Sequence, residues 1–80
     1  MHEIGIAQEV INAVFNELKG HDYSKIEKIE LAVGEFNMLS QESLQNAFDL
    51  IAVDTKAKGA VIKLNQVPGM EIEIRHIEAI

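Results

Sequence analysis

Apolar residues follow two different periods along this 80-residue sequence, and the order of those periods constrains the fold more than any other feature. Over residues 4–18 they recur at alternating steps of three and four, the spacing of a helix with one buried face. Gly20 follows, and glycine is well suited to the left-handed residue that ends a helix. A second helical stripe, over residues 44–51, follows Ser40, a favourable N-cap residue. We therefore predict two helices, the second ending near residues 54–55.

Three further segments show the period of two that is typical of a strand with one buried face. They lie at residues 29–33, 60–64 and 70–74. Pro68 and Gly69 separate the last two segments, and so short a connection predicts an antiparallel hairpin. The apolar phase slips near the end of both of these segments, which predicts a bulge in each strand.

The order helix, strand, helix, strand, strand predicts an α+β fold, with two helices packed on one face of a three-stranded sheet and a C-terminal antiparallel hairpin. The chain is expected to form one domain over residues 1–80. If the first two strands are parallel, the helix between them crosses over right-handedly, but the pattern does not fix the strand order. The sequence has no cysteine, so disulfides and thiolate zinc sites are excluded and stability must come from packing.

The charge balance and the missing motifs disfavour several classes of function. Thirteen acidic residues against seven Lys and Arg give a net charge of −6, which disfavours nucleic acid and anionic membranes as partners. No apolar segment is long enough to span a membrane, and the N-terminus lacks the pattern of a signal peptide, so we predict a cytoplasmic protein. Without a cysteine nucleophile, a G-x-S-x-G motif or a phosphate-binding glycine loop, we predict that the chain is not an enzyme.

The N-terminal tripeptide Met1-His2-Glu3 is the place where position gives ordinary residues metal chemistry. The α-amine, the amide nitrogen of residue 2 and the imidazole can close small chelate rings around one ion, with Glu3 or a further amide completing the set. Nitrogen donors in a plane suit nickel(II) or copper(II), and because the metal must displace protons, binding should weaken as the pH falls. Taken alone, the tripeptide is more typical of a solvated, frayed chain end.

Five segments of the chain resemble the HypA/HybF family of hydrogenase-maturation proteins. They are Met1–Gln8, Val33–Phe36, Ser43–Asp49, Gly59–Pro68 and Gly69–Glu78, in the same order as in the family. The resemblance implies the family's fold and a metallochaperone that coordinates nickel(II) through Met1, His2 and Glu3. It also implies delivery of nickel to hydrogenase, and in some organisms to urease, with the HypB GTPase as a partner.

The sequence departs from the family between Pro68 and Gly69, where family members carry a zinc domain with two Cys-x-x-Cys motifs. We therefore expect the nickel-binding domain alone, with no zinc. Because Pro-Gly fits poorly into a two-residue hairpin, we also predict that the last strand can exchange between two molecules to form a homodimer. A competing interpretation is a protein-interaction module that keeps the family's docking surface and transfers no metal.

Several other side chains are candidates for lesser roles. Glu35 is a candidate partner contact or outer-shell carboxylate, although a solvated carboxylate in a turn is more common. We expect His21 to be solvated and His76 to be structural or to face an edge, so neither is assigned to the metal. The apolar cluster ahead of the second helix is more typical of core packing than of a docking site. Its members are Phe36, Met38 and Leu39.

Overall fold

The computed structural model describes residues 2–80 and contains two helices and three strands in the predicted order. The helices are α1 (His2–Glu17) and α2 (Gln41–Ile51), and the strands are β1 (Ile26–Gly34), β2 (Val61–Val67) and β3 (Ile72–Ala79). A single 3-10 turn, Glu35–Asn37, follows β1 and is called the 35–37 turn below. The α+β class with a three-stranded mixed sheet is confirmed. Within the described residues, neither helix has the length and apolar character needed to cross a membrane.

The core lies between the two helices and one face of the sheet. Helix α1 contributes the face predicted from its spacing, and Gly20 adopts the left-handed conformation after it, with φ of 84°. The predicted inward residues of β1 are buried, and Ala32 on its other face is buried as well. The largest fully buried side chains are Phe48, Ile26, Ile29, Leu31, Leu44, Ile62, Val14 and Val33.

Helix α2 begins as predicted and ends earlier than predicted. The Ser40 hydroxyl accepts a hydrogen bond of 3.0 Å from the Ser43 N–H, and the Ser43 hydroxyl accepts one of 3.2 Å from the Ser40 N–H. This capping box satisfies N–H groups that the first turn of a helix leaves free. The helix stops before residues 54–55, where the Thr55 hydroxyl donates to the Ala52 carbonyl at 2.8 Å. Such a local side-chain bond competes with continuation of the helix.

The strand order is β2-β1-β3, so the predicted C-terminal hairpin is wrong. β1 pairs in parallel with β2 on one side and antiparallel with β3 on the other. The connection of residues 68–71 therefore passes over the end of β1. Two strand spacings are about 10 Å, which four extended residues can span, so a short loop does not by itself require neighbouring strands.

Gly34 is the point at which this connection crosses β1. Its N–H donates to the Glu71 carbonyl at 2.7 Å, and the Phe36 N–H donates to the Gly69 carbonyl at 3.0 Å. A Cβ atom added at Gly34 would collide with the backbone of Gly69 and Met70. The glycine is thus required by close backbone contact, a use that glycine serves in many folds.

Of the two predicted bulges, only the one in β3 is present. Glu30 pairs with His76 and Leu31 pairs with Ile74, which leaves Arg75 as the extra residue. This shift keeps the apolar residues of β3 on the side of the core. β2 keeps a continuous register up to Val67, which is instead half-buried on the outer face beside the crossing connection.

Candidate metal site at the N-terminus

His2 and Glu3 form the first residues of α1, while the predicted donor Met1 lies outside the described residues. The His2 side chain is exposed and the Glu3 side chain is half-buried. The first N–H groups of a helix have no partner within the helix, so backbone nitrogens at this end are free of intrahelical bonds. The backbone and side chains of this turn therefore offer nitrogen and carboxylate donors at one end of α1.

The structure brings the 35–37 turn next to His2. The Nε2 atom of His2 lies 3.2 Å from the backbone carbonyl oxygen of Asn37, a hydrogen-bonding distance across 35 positions of sequence. Sequence reasoning did not single out Asn37. Neither charge nor period marks that residue, and its contact with His2 exists only because the fold brings the first turn of α1 to the 35–37 turn.

Asn37 is itself held by two side-chain hydrogen bonds. Its Nδ2 atom donates to the Gly34 carbonyl at 3.0 Å and to the Met70 carbonyl at 2.8 Å. The first of these is the end of β1, and the second belongs to the connection that crosses it. One half-buried side chain therefore joins the sheet end, the crossing connection and the turn that contacts His2.

The other predicted polar candidates are separate from one another. Glu35 is exposed and begins the 35–37 turn, two positions before the residue that contacts His2. His21 is exposed in the loop after α1, as predicted. His76 is exposed on β3, with Nε2 3.2 Å from a Glu78 carboxylate oxygen. Within residues 2–80, no group of three His, Asp or Glu side chains is placed to hold a metal.

The prediction that the apolar cluster before α2 packs in the core is wrong for two of its three members. Leu39 is buried, but Phe36 is 65% exposed and Met38 is 87% exposed. Met38 adopts the left-handed conformation, with φ of 55°, which turns the chain between the 35–37 turn and α2. Met70, on the crossing connection, is also 65% exposed. We call Phe36, Met38 and Met70 the apolar group below.

Comparison with known proteins gives a consistent result. The family model described as "HypA: Hydrogenase/urease nickel incorporation, metallochaperone, hypA" matches residues 1–77. Among curated proteins, the chain is 32% identical over 69 residues to "Hydrogenase maturation factor HypA" of Beijerinckia indica, covering 86% of this chain and 61% of that protein.

Two further relatives have the same name. The one from Dehalococcoides mccartyi is 31% identical over 68 residues, covering 85% of this chain and 57% of the relative. The one from Methanococcus maripaludis is 38% identical over 72 residues, covering 84% and 57%. The chain thus spans between 57% and 61% of the length of these three relatives, which are named as maturation factors and not as enzymes.

Proposed function

The chain belongs to the HypA family of hydrogenase/urease nickel-incorporation metallochaperones, and we propose that it binds nickel(II) through its N-terminal Met-His-Glu and passes the ion to a nickel enzyme. The recipient is a hydrogenase or, in some organisms, urease. The match to the family over residues 1–77 carries this proposal, because it includes the N-terminal tripeptide that would hold the ion.

The start of α1 has chemistry that suits nickel(II) as cargo. The Met1 amine, the first backbone nitrogens and the His2 imidazole form a set of nitrogen donors, and Glu3 adds a carboxylate. The positive end of a helix dipole opposes a bare cation. It also favours the negative charge that deprotonated amide nitrogens and a carboxylate supply. A negatively charged ligand set therefore reduces the repulsion between the ion and the positive end of the helix. Neutral ligands would leave that repulsion in place.

Glu35 is the proposed outer-shell carboxylate or partner contact. It is exposed and belongs to the same short turn as Asn37, whose carbonyl oxygen meets His2. Its proposed role is to orient a water or a partner's basic side chain beside the turn that contacts His2. The substitution Glu35→Gln removes the negative charge and keeps the size of the side chain, so it tests the role of the charge alone.

We propose that this chain is the nickel-binding domain without the zinc domain, which in the family lies between Pro68 and Gly69. The absence of cysteine supports a protein that binds no zinc through thiolates. The Pro68–Gly69 junction lies in the connection that crosses the end of β1 and bonds to the 35–37 turn. An insertion at this junction would therefore emerge beside the proposed nickel site.

The proposed partners are a HypB-like GTPase and the hydrogenase maturation machinery, in the cytoplasm, with neither nucleic acid nor a membrane involved. A homodimer formed by exchange of β3 also stays a proposal. Strain in a Pro-Gly hairpin does not support it, because β3 pairs with β1 and not with β2. Exchange would replace the pairing of β3 with β1 of its own chain by the same antiparallel pairing with β1 of a second molecule. A monomer mass by light scattering at high concentration would contradict it.

A second candidate function is protein interaction without metal transfer, and the apolar group is the observation that favours it. Phe36, Met38 and Met70 are exposed, and the Phe36 backbone is bonded to the connection that carries Met70. Apolar residues grouped on a surface mark interaction sites more often than scattered ones do. On this alternative the surface is retained and the N-terminus has no role.

Nickel titration of two versions of the protein separates the two functions. One version has the native Met1 amine, and the other has two residues added before Met1. We expect calorimetry to show one nickel per chain for the native version only, with a visible absorption band of planar nitrogen ligands. His21→Ala is the matched control, because it removes an exposed imidazole elsewhere and should bind as the native protein does. Equal binding by both versions, or none by either, would reject the N-terminal site.

A further inference from the structure

We propose that Asn37 is a positioning residue for the nickel site: its backbone carbonyl keeps the imidazole proton of His2 on Nε2, so that Nδ1 is presented to the ion. This inference rests on the proposed function for its nickel step. Its first step, the position of a proton in the metal-free protein, stands on the observed contact alone.

The contact assigns the tautomer of His2. A carbonyl oxygen can only accept a hydrogen bond, and it lies 3.2 Å from Nε2. A neutral imidazole carries one proton, so the ring that donates through Nε2 has a free lone pair on Nδ1. The opposite tautomer would place two lone pairs against each other and lose the bond.

The same tautomer is the one that an N-terminal chelate requires. Nδ1 is joined to the amide nitrogen of His2 through Cα, Cβ and Cγ, so these two nitrogens can close a small ring on one ion. Nε2 lies on the far side of the ring from the backbone of His2 and cannot join that chelate ring. In protein metal sites the second ring nitrogen usually donates to a carbonyl or carboxylate, and this bond orients the ligand. The Asn37 carbonyl occupies that role for His2.

The Asn37 side chain fixes the carbonyl in place. Its Nδ2 atom bonds to the Gly34 and Met70 carbonyls, at 3.0 and 2.8 Å. The 35–37 turn is short, and a single turn has few bonds of its own to hold it. Removal of these two side-chain bonds leaves the bond from the Phe36 N–H to the Gly69 carbonyl as the tie between the turn and the crossing connection, so the acceptor for His2 is held less firmly. The site at one end of the chain thus depends on the crossing connection at residues 68–71.

The first experiment measures the tautomer in the absence of metal. Ring 15N chemical shifts of His2 are recorded at mildly alkaline pH for the native protein, for Asn37→Ala and for Asn65→Ala. Asn65 is the matched control, since its side chain also donates to a backbone carbonyl, that of Leu31, at 3.2 Å. We expect the Nε2–H form in the native protein and in Asn65→Ala, and a mixture in Asn37→Ala. A mixture in the native protein would overturn the proposal.

The second experiment tests the nickel step with the Asn37 side chain left in place. The chain is prepared by peptide synthesis with His2 methylated either on Nδ1 or on Nε2. We expect the Nδ1-methyl form to lose nickel binding. The Nε2-methyl form should bind about tenfold more weakly than native, as loss of an outer-shell partner does at the lower end of its usual range for an exposed ligand. Asn37→Ala keeps the carbonyl and loses only the bonds that hold it, so it should weaken binding by no more than this factor and have no further effect in the Nε2-methyl background.

The outcomes distinguish this inference from the proposed function. If the native protein binds no nickel, the proposed function fails, and the tautomer measurement still decides the contact. If nickel binds and the Nε2-methyl form binds as tightly as native, the function stands and the positioning role of Asn37 is rejected. If Asn37→Ala loses its β1–β3 amide signals, the Nε2-methyl form decides: weaker nickel binding than native supports the positioning role, and binding equal to native rejects it.

Discussion

The side-chain oxygen of Gln45 accepts a hydrogen bond of 2.7 Å from the backbone N–H of Ile62, so α2 bonds to the outer edge of β2 as a neighbouring strand would. The Gln45 amide also donates to the Ala60 carbonyl at 3.0 Å. One turn earlier, Gln41 repeats the arrangement by accepting from the Leu64 N–H at 2.7 Å and donating to the Ile62 carbonyl. Two glutamines thus satisfy backbone groups that an edge strand leaves open to other chains.

Gln45→Ala is expected to destabilise the protein by about 1–3 kcal/mol, because two hydrogen bonds to a strand edge are lost and their backbone partners are left half-buried. The measurement is urea unfolding followed by far-ultraviolet circular dichroism. Asn46→Ala is the control, since Asn46 is exposed on the same helix and, within the described residues, makes no bond to the strand edge, although its replacement by alanine gains somewhat more helix propensity than that of Gln45. Equal stability of the two variants would show that the edge bonds contribute nothing net.

Gly34→Ala is expected to destabilise the protein by about 1–3 kcal/mol, the range for a side-chain atom forced into a packed site. The new Cβ would meet backbone atoms of Gly69 and Met70, which cannot move without loss of the bond from the Gly34 N–H to the Glu71 carbonyl. Thermal unfolding measures the effect. Gly5→Ala is the contrasting control, because it has open space at Cβ within α1 and should gain up to about 1 kcal/mol. A stabilised Gly34→Ala would contradict the crossing seen at this residue.

The order of elements could be predicted from the sequence because burial imposes its period on each element separately. The strand order could not, since nothing in the alternation of β2 or β3 states which neighbour each has. Pro68 and Gly69 predicted a hairpin from loop length, yet a short loop also reaches across one intervening strand. The odd spacing between Leu64 and Val67 predicted a bulge in β2. The register is instead continuous, and Val67 lies on the outer face, partly covered by the crossing connection.

The residues of the candidate site also fall into those that the sequence predicted and those that only the structure shows. His2 and Glu3 stood out because their chemistry depends on position near a terminus, which sequence alone displays. Asn37 did not, because its role depends on bonds to Gly34 and Met70 that only the folded chain makes. The two glutamines of α2 were hidden for a similar reason. From the sequence, polar residues outside the apolar stripe of a helix are expected to be solvated. Only the folded chain shows that the edge of β2 lies beside these two.

Copper(II) is expected to displace nickel(II) from the native protein. Sites of nitrogen and oxygen donors bind divalent copper more tightly than nickel, and nothing in an exposed chain end such as His2 imposes a geometry against copper. Competition is followed by the change in the visible spectrum as copper is added to the nickel-loaded protein. Retention of nickel against one equivalent of copper would mean that the N-terminal nitrogens are not the ligands, or that the fold shields them.

Nickel binding is expected to release protons and to weaken as the pH falls. The amine, amide and imidazole nitrogens can coordinate only after they lose their protons, so protons compete with the metal. Each proton released makes the affinity fall on the order of tenfold for each unit of decrease in pH, wherever the free group is protonated. The count is measured by calorimetry in two buffers of different ionisation enthalpy. His2→Ala should release fewer protons and bind more weakly, whereas His21→Ala should match the native protein. Because backbone amides supply part of the count, a value explained by the imidazole alone would rule out an N-terminal chelate and leave only a simple histidine site.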